Sequence, residues 1–354
     1  MSKYHYGVFV GRFQPLHTGH EAVIRSALNE VDTLIVLIGS SCQARTPRNP
    51  FTYTEREEMF AKVFKHELTT GRLILKPVLD HPYSDAAWCA EVQRAVNETV
   101  LAHYNRGGVV LHGLQDVRIA LSGYGKDRTS YYLKLFPEWG NVQLASQHGT
   151  FSSTDVRRQL FQRIPVISRS VLSAGVAEWL EAFALTETFR ALLEEAEYLE
   201  AYPGQWGRGP FVTVDAVVIQ SGNILLVERG QAPGKGLLAL PGGFLDPSES
   251  IKDAAIRELK EETAISDHKG EIPPAMLASF IDGTKTRVFD HPDRSLRGRI
   301  VTHAFLFRLP ERRELFSVMG GDDAMSANWH RLGDLNPEQF FEDHWSIIQL
   351  MADL

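Results

Sequence analysis

The chain has 354 residues, enough for two domains that each bury a core, with 44% hydrophobic and 23% charged residues, as in an ordinary globular protein. A net charge of −7 argues against a sequence-independent grip on nucleic acid, and two cysteines, Cys42 and Cys89, are too few for a disulfide framework and fit a reducing, cytoplasmic setting. No basic stretch with a long apolar core opens the chain, and runs such as Leu34 to Ile38 are too short to span a bilayer, so neither a signal peptide nor a membrane partner is expected.

In the first half, short apolar runs predict buried strands at Tyr6–Val10, Thr33–Ile38, Leu73–Val78, Val109–His112 and Val142–Ala145. Amphipathic stretches predict helices at Gly19–Asn29, Glu55–His66, Asp85–His103 and Thr129–Phe136. This βαβα rhythm implies an α/β fold, a parallel sheet covered by helices on both faces. Thr54-Glu55-Arg56-Glu57 reads as a capping box, and Ser153 or Thr154 as the cap of a helix over Asp155–Gln162. From Val176 to Leu199 the pattern is helical, and Tyr202-Pro-Gly-Gln-Trp-Gly-Arg-Gly-Pro210 is expected to end it. Beyond lie Thr213–Ile219, a turn at Ser221-Gly222-Asn223, a strand at Ile224–Glu228, and one clear helix at Ser250–Thr263. The expected division is an N-terminal domain over 1–185, a helical linker over 186–204, and a second sheet-plus-helix domain over 205–354.

Chemistry concentrates in two strings. The first is Gly11-Arg12-Phe13-Gln14-Pro15-Leu16-His17-Thr18-Gly19-His20. It carries the chain from a buried strand through a Gly-containing turn to a helix start, whose unpaired N–H groups and positive dipole end suit phosphate. His17 and His20 can point at one anion, and Gly11 and Gly19 permit close backbone approach. The second string, Gly243 to Ile265, places Glu258, Glu261 and Glu262 at i, i+3 and i+4, on one helix face. Three like charges so close call for a cation, and carboxylate oxygens suit Mg²⁺ or Mn²⁺. Glu249 and Arg257 read as an internal pair that braces the preceding loop onto this helix.

The first string resembles the opening of archaeal-type nicotinamide mononucleotide (NMN) adenylyltransferases of the H-x-G-H nucleotidyltransferase superfamily. The likeness continues at Asn49-Pro50-Phe51-Thr52, Glu55-Arg56 and Phe151-Ser152-Ser153-Thr154-Asp155-Val156-Arg157. It implies a Rossmann-like sheet and attack of a mononucleotide phosphate on the α-phosphate of ATP, with pyrophosphate leaving and Mg²⁺ bridging the triphosphate. Catalysis of that kind is positioning plus charge stabilisation. The resemblance makes His17, His20 and Arg157 the catalytic candidates. It makes Gly11, Arg12, Phe13, Gln14, Asn49, Ser153 and Thr154 candidates for binding substrate. Trp88 is a candidate to stack on the nicotinamide ring, with a core tryptophan equally compatible; Tyr83 and Asp80 are weaker suggestions. Lys126 and Asp127 read either as part of a loop near the nucleotide or as a solvated surface pair.

The second string resembles the Nudix box, with Ala264 where that family usually has glycine. If the position needs φ > 0, the alanine carries a local strain cost at the helix exit. Phe289 to Arg299, followed by Ile300–Phe307, resembles a segment of ADP-ribose pyrophosphatases, which implies an α/β/α Nudix domain with a mixed sheet. Arg294, Arg297 and Arg299 are then candidates for the diphosphate, and Asp322 or Asp323 for a further base or ligand, Asp323 being favoured. Together the halves resemble bacterial bifunctional proteins that join an NMN adenylyltransferase to a Nudix hydrolase acting on ADP-ribose. The small molecules implied are ATP, NMN, NAD and ADP-ribose; a homo-oligomer remains open. Two other readings are adenylyl transfer to a different acceptor, with a Nudix half cleaving another nucleoside diphosphate, and a Nudix half that only senses ADP-ribose. A sensor is expected to have lost box carboxylates and gained a basic DNA-reading helix; here Glu258, Glu261 and Glu262 are present.

Overall fold

In the computed structural model, residues 3–106, 117–123, 133–143, 152–162, 167–321 and 324–354 are described. The chain divides into two compact units, Met1–Leu193 and Glu194–Leu354. No helix among the described residues is long and apolar enough to cross a membrane.

The first unit contains, in order, β1 (Tyr4–Gly11), α1 (Thr18–Glu30), β2 (Val31–Ile38), α2 (Tyr53–Val63), α3 (Lys65–Thr69), β3 (Leu73–Pro77), α4 (Asp85–Arg106), β4 (Ile119–Gly123), β5 (Gly140–Gln143), α5 (Ser153–Leu160) and α6 (Ala174–Phe183). The strands form one all-parallel sheet in the order β3-β2-β1-β4-β5. In β2, Leu34, Val36 and Ile38 enter one buried cluster, while Ile35 and Leu37 enter another. That two-residue alternation is why a continuous apolar run belongs here: both sheet faces are covered. Residues of α1, α2 and α6 fill the first cluster. On α4, Val92, Ala95, Val96 and Val100 fill the second.

Several local expectations need correction. The capping box of α2 is Thr52 with Glu55, not the string starting at Thr54: Glu55 N–H donates to Thr52 Oγ1 and Thr52 N–H to Glu55. At α5 the cap is Ser152 rather than Ser153 or Thr154, with Asp155 closing a second box. The helix expected over Glu55–His66 breaks at Phe64. β4 was not foreseen, because Ile-Ala-Leu-Ser-Gly is short and weakly apolar at its end. The strand expected at Val109–His112 and the start of the Thr129–Phe136 helix lie outside the described residues; 133–136 are not α-helical. The helix α7 (Glu187–Trp206) passes through Pro203 instead of ending before it, so the Pro/Gly string closes one turn later than expected.

The second unit follows with β6 (Phe211–Gln220), β7 (Asn223–Arg229), β8 (Leu238–Ala239), β9 (Gly242–Phe244), α8 (Ile251–Thr263), β10 (Ser266–Asp267), β11 (Gly270–Glu271), α9 (Pro274–Ser279), β12 (Ile281–Phe289), β13 (Ile300–Arg308), β14 (Ala324–Arg331) and α10 (His344–Ala352). Its main sheet runs β12-β13-β6-β7-β14, with β8 on β7 and β9 on β6. It is mixed, since β6 and β13 are parallel and the other pairs antiparallel. The β6–β7 hairpin turns at Ser221 (φ 47°) and Gly222 (φ 76°), the two left-handed residues a type I′ turn requires. Val214, Ala216 and Val218 of β6 pack against Ala254, Ala255, Ile256 and Leu259 of α8, which fixes the acidic helix to the sheet.

Candidate active sites

In the first unit, β1 ends at Gly11 and the chain crosses to α1, whose N-cap is His17. Gly19 N–H donates to His17 Nδ1 at 3.1 Å, and the His17 and His20 rings stack with centroids 3.8 Å apart. A Cβ on Gly19 would stand 2.9 Å from the His17 ring, so this glycine makes room for the stack. A Cβ on Gly11 would meet the Phe13 ring at 2.8 Å.

The loop is held from three sides. Gln14 is buried; its Nε2 donates to Phe51 O at 2.9 Å and its Oε1 accepts from Phe51 N at 3.0 Å. Arg56, fully buried, donates to the carbonyls of Arg12 and Gly39 (2.7 Å each), Ser40 (3.0 Å) and Thr52 (3.1 Å). Burial pulls its pKa down to about 10, with Asp80 opposing. Arg157 donates to Gln14 O at 2.7 Å and to Thr154 Oγ1 at 3.2 Å, and Ser153 Oγ donates to Pro15 O at 3.2 Å. The two phosphate-type strings, more than 130 residues apart, are therefore joined directly. Burial lowers the Arg157 pKa to about 10, and the positive charges of Arg12 and Arg48 push it the same way. Three guanidiniums this close suit a polyanion.

Phe13 is a core residue: its ring is buried and meets those of Phe9, His20 and Phe60 edge-on. The side chains of Phe13 and Gln14 thus hold the shape of the loop. Trp88 is half-buried, packing 6.0 Å from Phe136 against the second core cluster. Asp80 accepts from Ser40 N (3.1 Å), Ser40 Oγ (2.5 Å) and Gln43 Nε2 (3.1 Å), tying the segment after β3 to the loop after β2. Asn49 donates to Gln43 at 3.2 Å, while its Oδ1 is buried with no hydrogen-bond partner among the described residues. Tyr83 is half-buried in the turn ahead of α4. Lys126 and Asp127 lie outside the described residues. Arg48 was missed from sequence, where nothing set it apart from other surface arginines.

In the second unit, a cavity of about 620 Å³ is lined by Gly243 and Glu262 of the box and the preceding Gly242, with Arg229, Arg294 and Arg297. Ser250 caps α8 by accepting from Asp253 N at 3.2 Å, and the helix exits through Ala264 at φ 40°, ψ 39°. The left-handed exit that glycine would fill without strain is thus present. Arg257 braces the box as expected: it donates to Glu249 at 2.7 and 3.0 Å, to Glu258 and Glu261 at 2.8 Å each, and to Phe244 O at 3.1 Å. Those carboxylates, Glu249 first, raise the Arg257 pKa.

Glu258 is buried beneath Gly243, where any Cβ would stand 2.4–2.8 Å from its carboxylate. Glu262 accepts from Gly242 N at 3.0 Å; burial, then Glu258 and Asp215, raise its pKa to about 8, against the pull of Gly242 N–H. Asp215, buried on β6, accepts from Thr302 Oγ1 at 2.6 Å, and burial raises its pKa. The donor chemistry, carboxylate oxygens on one face of α8, fits a hard divalent cation. Yet among the described residues no three His, Cys, Asp or Glu side chains converge on one point. Glu258 and Glu261 are drawn to Arg257 instead.

Arg294 lines the cavity, and its Nε and Nη2 bind Asp343 at 3.0 and 2.9 Å in a buried two-point ion pair. Arg297 reaches Glu342 at 3.3 Å and lies 5.5 Å from the Phe341 ring centre, while Arg229 lies 4.0 Å over the same ring. Arg229 and Asp215 were missed because each reads as an ordinary strand residue. Asp322 and Asp323 lie outside the described residues.

A cytidylyltransferase-like family model matches residues 8–159 and a NUDIX-domain model residues 209–351. The first half is similar to the nicotinamide/nicotinic acid mononucleotide adenylyltransferase of Acinetobacter baylyi, at 32% identity over 55% of this chain and 95% of that protein. The second is similar to the ADP-ribose pyrophosphatase of Methanocaldococcus jannaschii, at 35% identity over 40% of this chain and 72% of that protein. Both halves together are similar to the crystal structure of a bifunctional NMN adenylyltransferase/ADP-ribose pyrophosphatase from Francisella tularensis, complexed with AMP and a manganese ion. That likeness has 32% identity, covers 99% of each chain and reaches a TM-score of 0.86. The chain belongs to the family of bifunctional NMN adenylyltransferase/ADP-ribose pyrophosphatase proteins.

Proposed function

We propose that the chain makes NAD and pyrophosphate from NMN and ATP in its first half and hydrolyses ADP-ribose to AMP and ribose 5-phosphate in its second. The observation that carries the first activity is the joining of the strings around His17–His20 and Ser153–Arg157 through Arg157 and Ser153. For the second it is a cavity that Gly243 and Glu262 of the box line together with Arg229 and Arg297. We assign the transferase to 1–185 and the hydrolase to 205–354, with the intervening helix over 186–204, and place both in the reducing cytoplasm.

In the transferase, His17 and His20 at the start of α1 hold the ATP phosphates, with His20 beside the α-phosphate where charge builds. Arg157, Arg12 and Arg48 supply fixed positive charge, and Thr154 holds the terminal phosphates. No covalent nucleophile is involved, so aligning the two substrates and stabilising the transferring phosphoryl group account for catalysis. In the hydrolase, Glu258, Glu261 and Glu262 would hold a divalent cation, Mg²⁺ with Mn²⁺ as a substitute, which would supply water activation and charge neutralisation for the diphosphate. Arg257 keeps the loop and helix in register, Arg297 and Arg229 face the diphosphate, and Asp323 assists as base or ligand.

The test is product analysis with the full chain and Mg²⁺, giving ATP plus NMN in one tube and ADP-ribose in another. NAD in the first, and AMP with ribose 5-phosphate in the second, are the expected products. NAD without ADP-ribose cleavage would overturn the hydrolase assignment; no NAD would overturn the acceptor.

A further inference from the structure

Tyr198, Tyr202 and Trp206 recur every fourth residue along α7, so they share one helix face, and all three line the same cavity as Glu262 and Gly242–Gly243. The rings form a continuous run. Tyr198 and Tyr202 centroids are 5.9 Å apart, Tyr202 and Trp206 6.4 Å, Tyr202 and Phe211 6.3 Å, and Phe211 and Phe244 5.8 Å. Tyr202 is only 5% exposed, whereas Trp206 at the end of the run is 58% exposed. The cavity is thus aromatic along one wall, with Arg229 and Arg297 also in its lining. A ligand matching both features has a flat aromatic part and an anionic part, and about 620 Å³ is ample for a nucleotide of that kind. The NUDIX model match begins only at residue 209, so three of these five rings precede it, on the part of α7 that belongs to the second compact unit.

We infer that the C-terminal half of α7 is the base-recognition element of the hydrolase, with Trp206, backed by Tyr202, stacking on the purine of a nucleoside diphosphate. This rests on the hydrolase reading above and adds the residue that selects for an aromatic base. Stacking a base on an aromatic side chain tolerates sequence but not its removal, and truncation to alanine weakens binding by about tenfold.

The experiment compares the full chain with Trp206→Ala and Trp206→Phe in steady-state ADP-ribose hydrolysis, using AMP and ribose 5-phosphate as inhibitors. For Trp206→Ala we expect KM to rise about tenfold with kcat nearly unchanged. Inhibition by AMP should weaken in parallel, inhibition by ribose 5-phosphate should hold, and Trp206→Phe should recover most of the loss. An unchanged urea midpoint of the second unit checks that the variants are folded. An unchanged KM and AMP inhibition in Trp206→Ala would overturn the inference, as would equal weakening of both inhibitors. If the unsubstituted chain fails to cleave ADP-ribose, the hydrolase reading fails instead. AMP quenching of tryptophan fluorescence, present in the unsubstituted chain and lost in Trp206→Phe, then still decides whether Trp206 stacks on the base.

Discussion

Ala264 shows how much one residue states about its backbone. The family glycine that Ala264 replaces would suit a left-handed exit from α8, and the structure puts Ala264 at φ 40°. A Cβ there costs about 1–2 kcal/mol, and glycine returns less than 1 kcal/mol of that through unfolded-chain entropy. Ala264→Gly should therefore stabilise the second unit by about 1 kcal/mol in urea unfolding, with hydrolysis unaltered; a loss of stability would mean the exit is not strained. His344 makes a second residue-scale prediction. Its Nδ1 accepts from Leu240 N–H at 2.9 Å, and burial pushes its pKa down to about 3, with Asp343 opposing. A histidine held neutral in the fold is protonated first in the unfolded chain. Its contribution is complete above pH ~6.5 and is lost as pH falls from there towards ~3. The urea midpoint of the second unit should drop with acidification over that window. His344→Asn, which keeps an acceptor near the Leu240 N–H, should flatten the slope, and an identical slope in both proteins would remove His344 from the account.

At the scale of elements, the box is a helix and a loop made into one piece. Arg257 fastens Glu249 of the loop to Glu258 and Glu261 of α8, and Gly243 lies directly on the Glu258 carboxylate. Gly243→Ala would put a methyl group 2.4–2.8 Å from that carboxylate, displacing a group buried between sheet and helix. A shift of order 1 Å in such a group costs about 10²-fold in rate. Hydrolytic kcat should fall by about that factor while NAD synthesis stays the same. Full hydrolysis in the variant would show that Glu258 tolerates displacement. Element ends were the least legible feature of the chain. Thr52 and Ser152 won as caps over Thr54, Ser153 and Thr154 because a cap must have extended backbone, which composition alone does not reveal. Pro203 was expected to end α7, but tertiary packing of Tyr198 and Tyr202 along the cavity outweighs one lost helical hydrogen bond.

Across the whole molecule, each compact unit has its own buried core and its own candidate site. His20→Ala should abolish NAD synthesis and leave ADP-ribose hydrolysis near normal, and Glu262→Gln should do the reverse, most visibly at limiting Mg²⁺. Equal loss of both activities in either variant, measured on one preparation, would sink the two-site assignment. The sequence by itself determined the two chemistries and the classes of both sheets. Strings such as Gly11–His20 and Gly243–Ile265 are local, and alternation of apolar residues reports directly on which faces are buried. Only the tertiary structure decided which protein groups the named side chains meet. Phe13, Gln14 and Arg294 sit in or beside the right motifs, yet one fills the core, one binds Phe51 and one is paired with Asp343. Conversely, the roles proposed for Arg48, Arg229 and the α7 aromatics depend on residues far away in the chain. A side chain's partner is set by packing between distant segments, and that is information no local spacing contains.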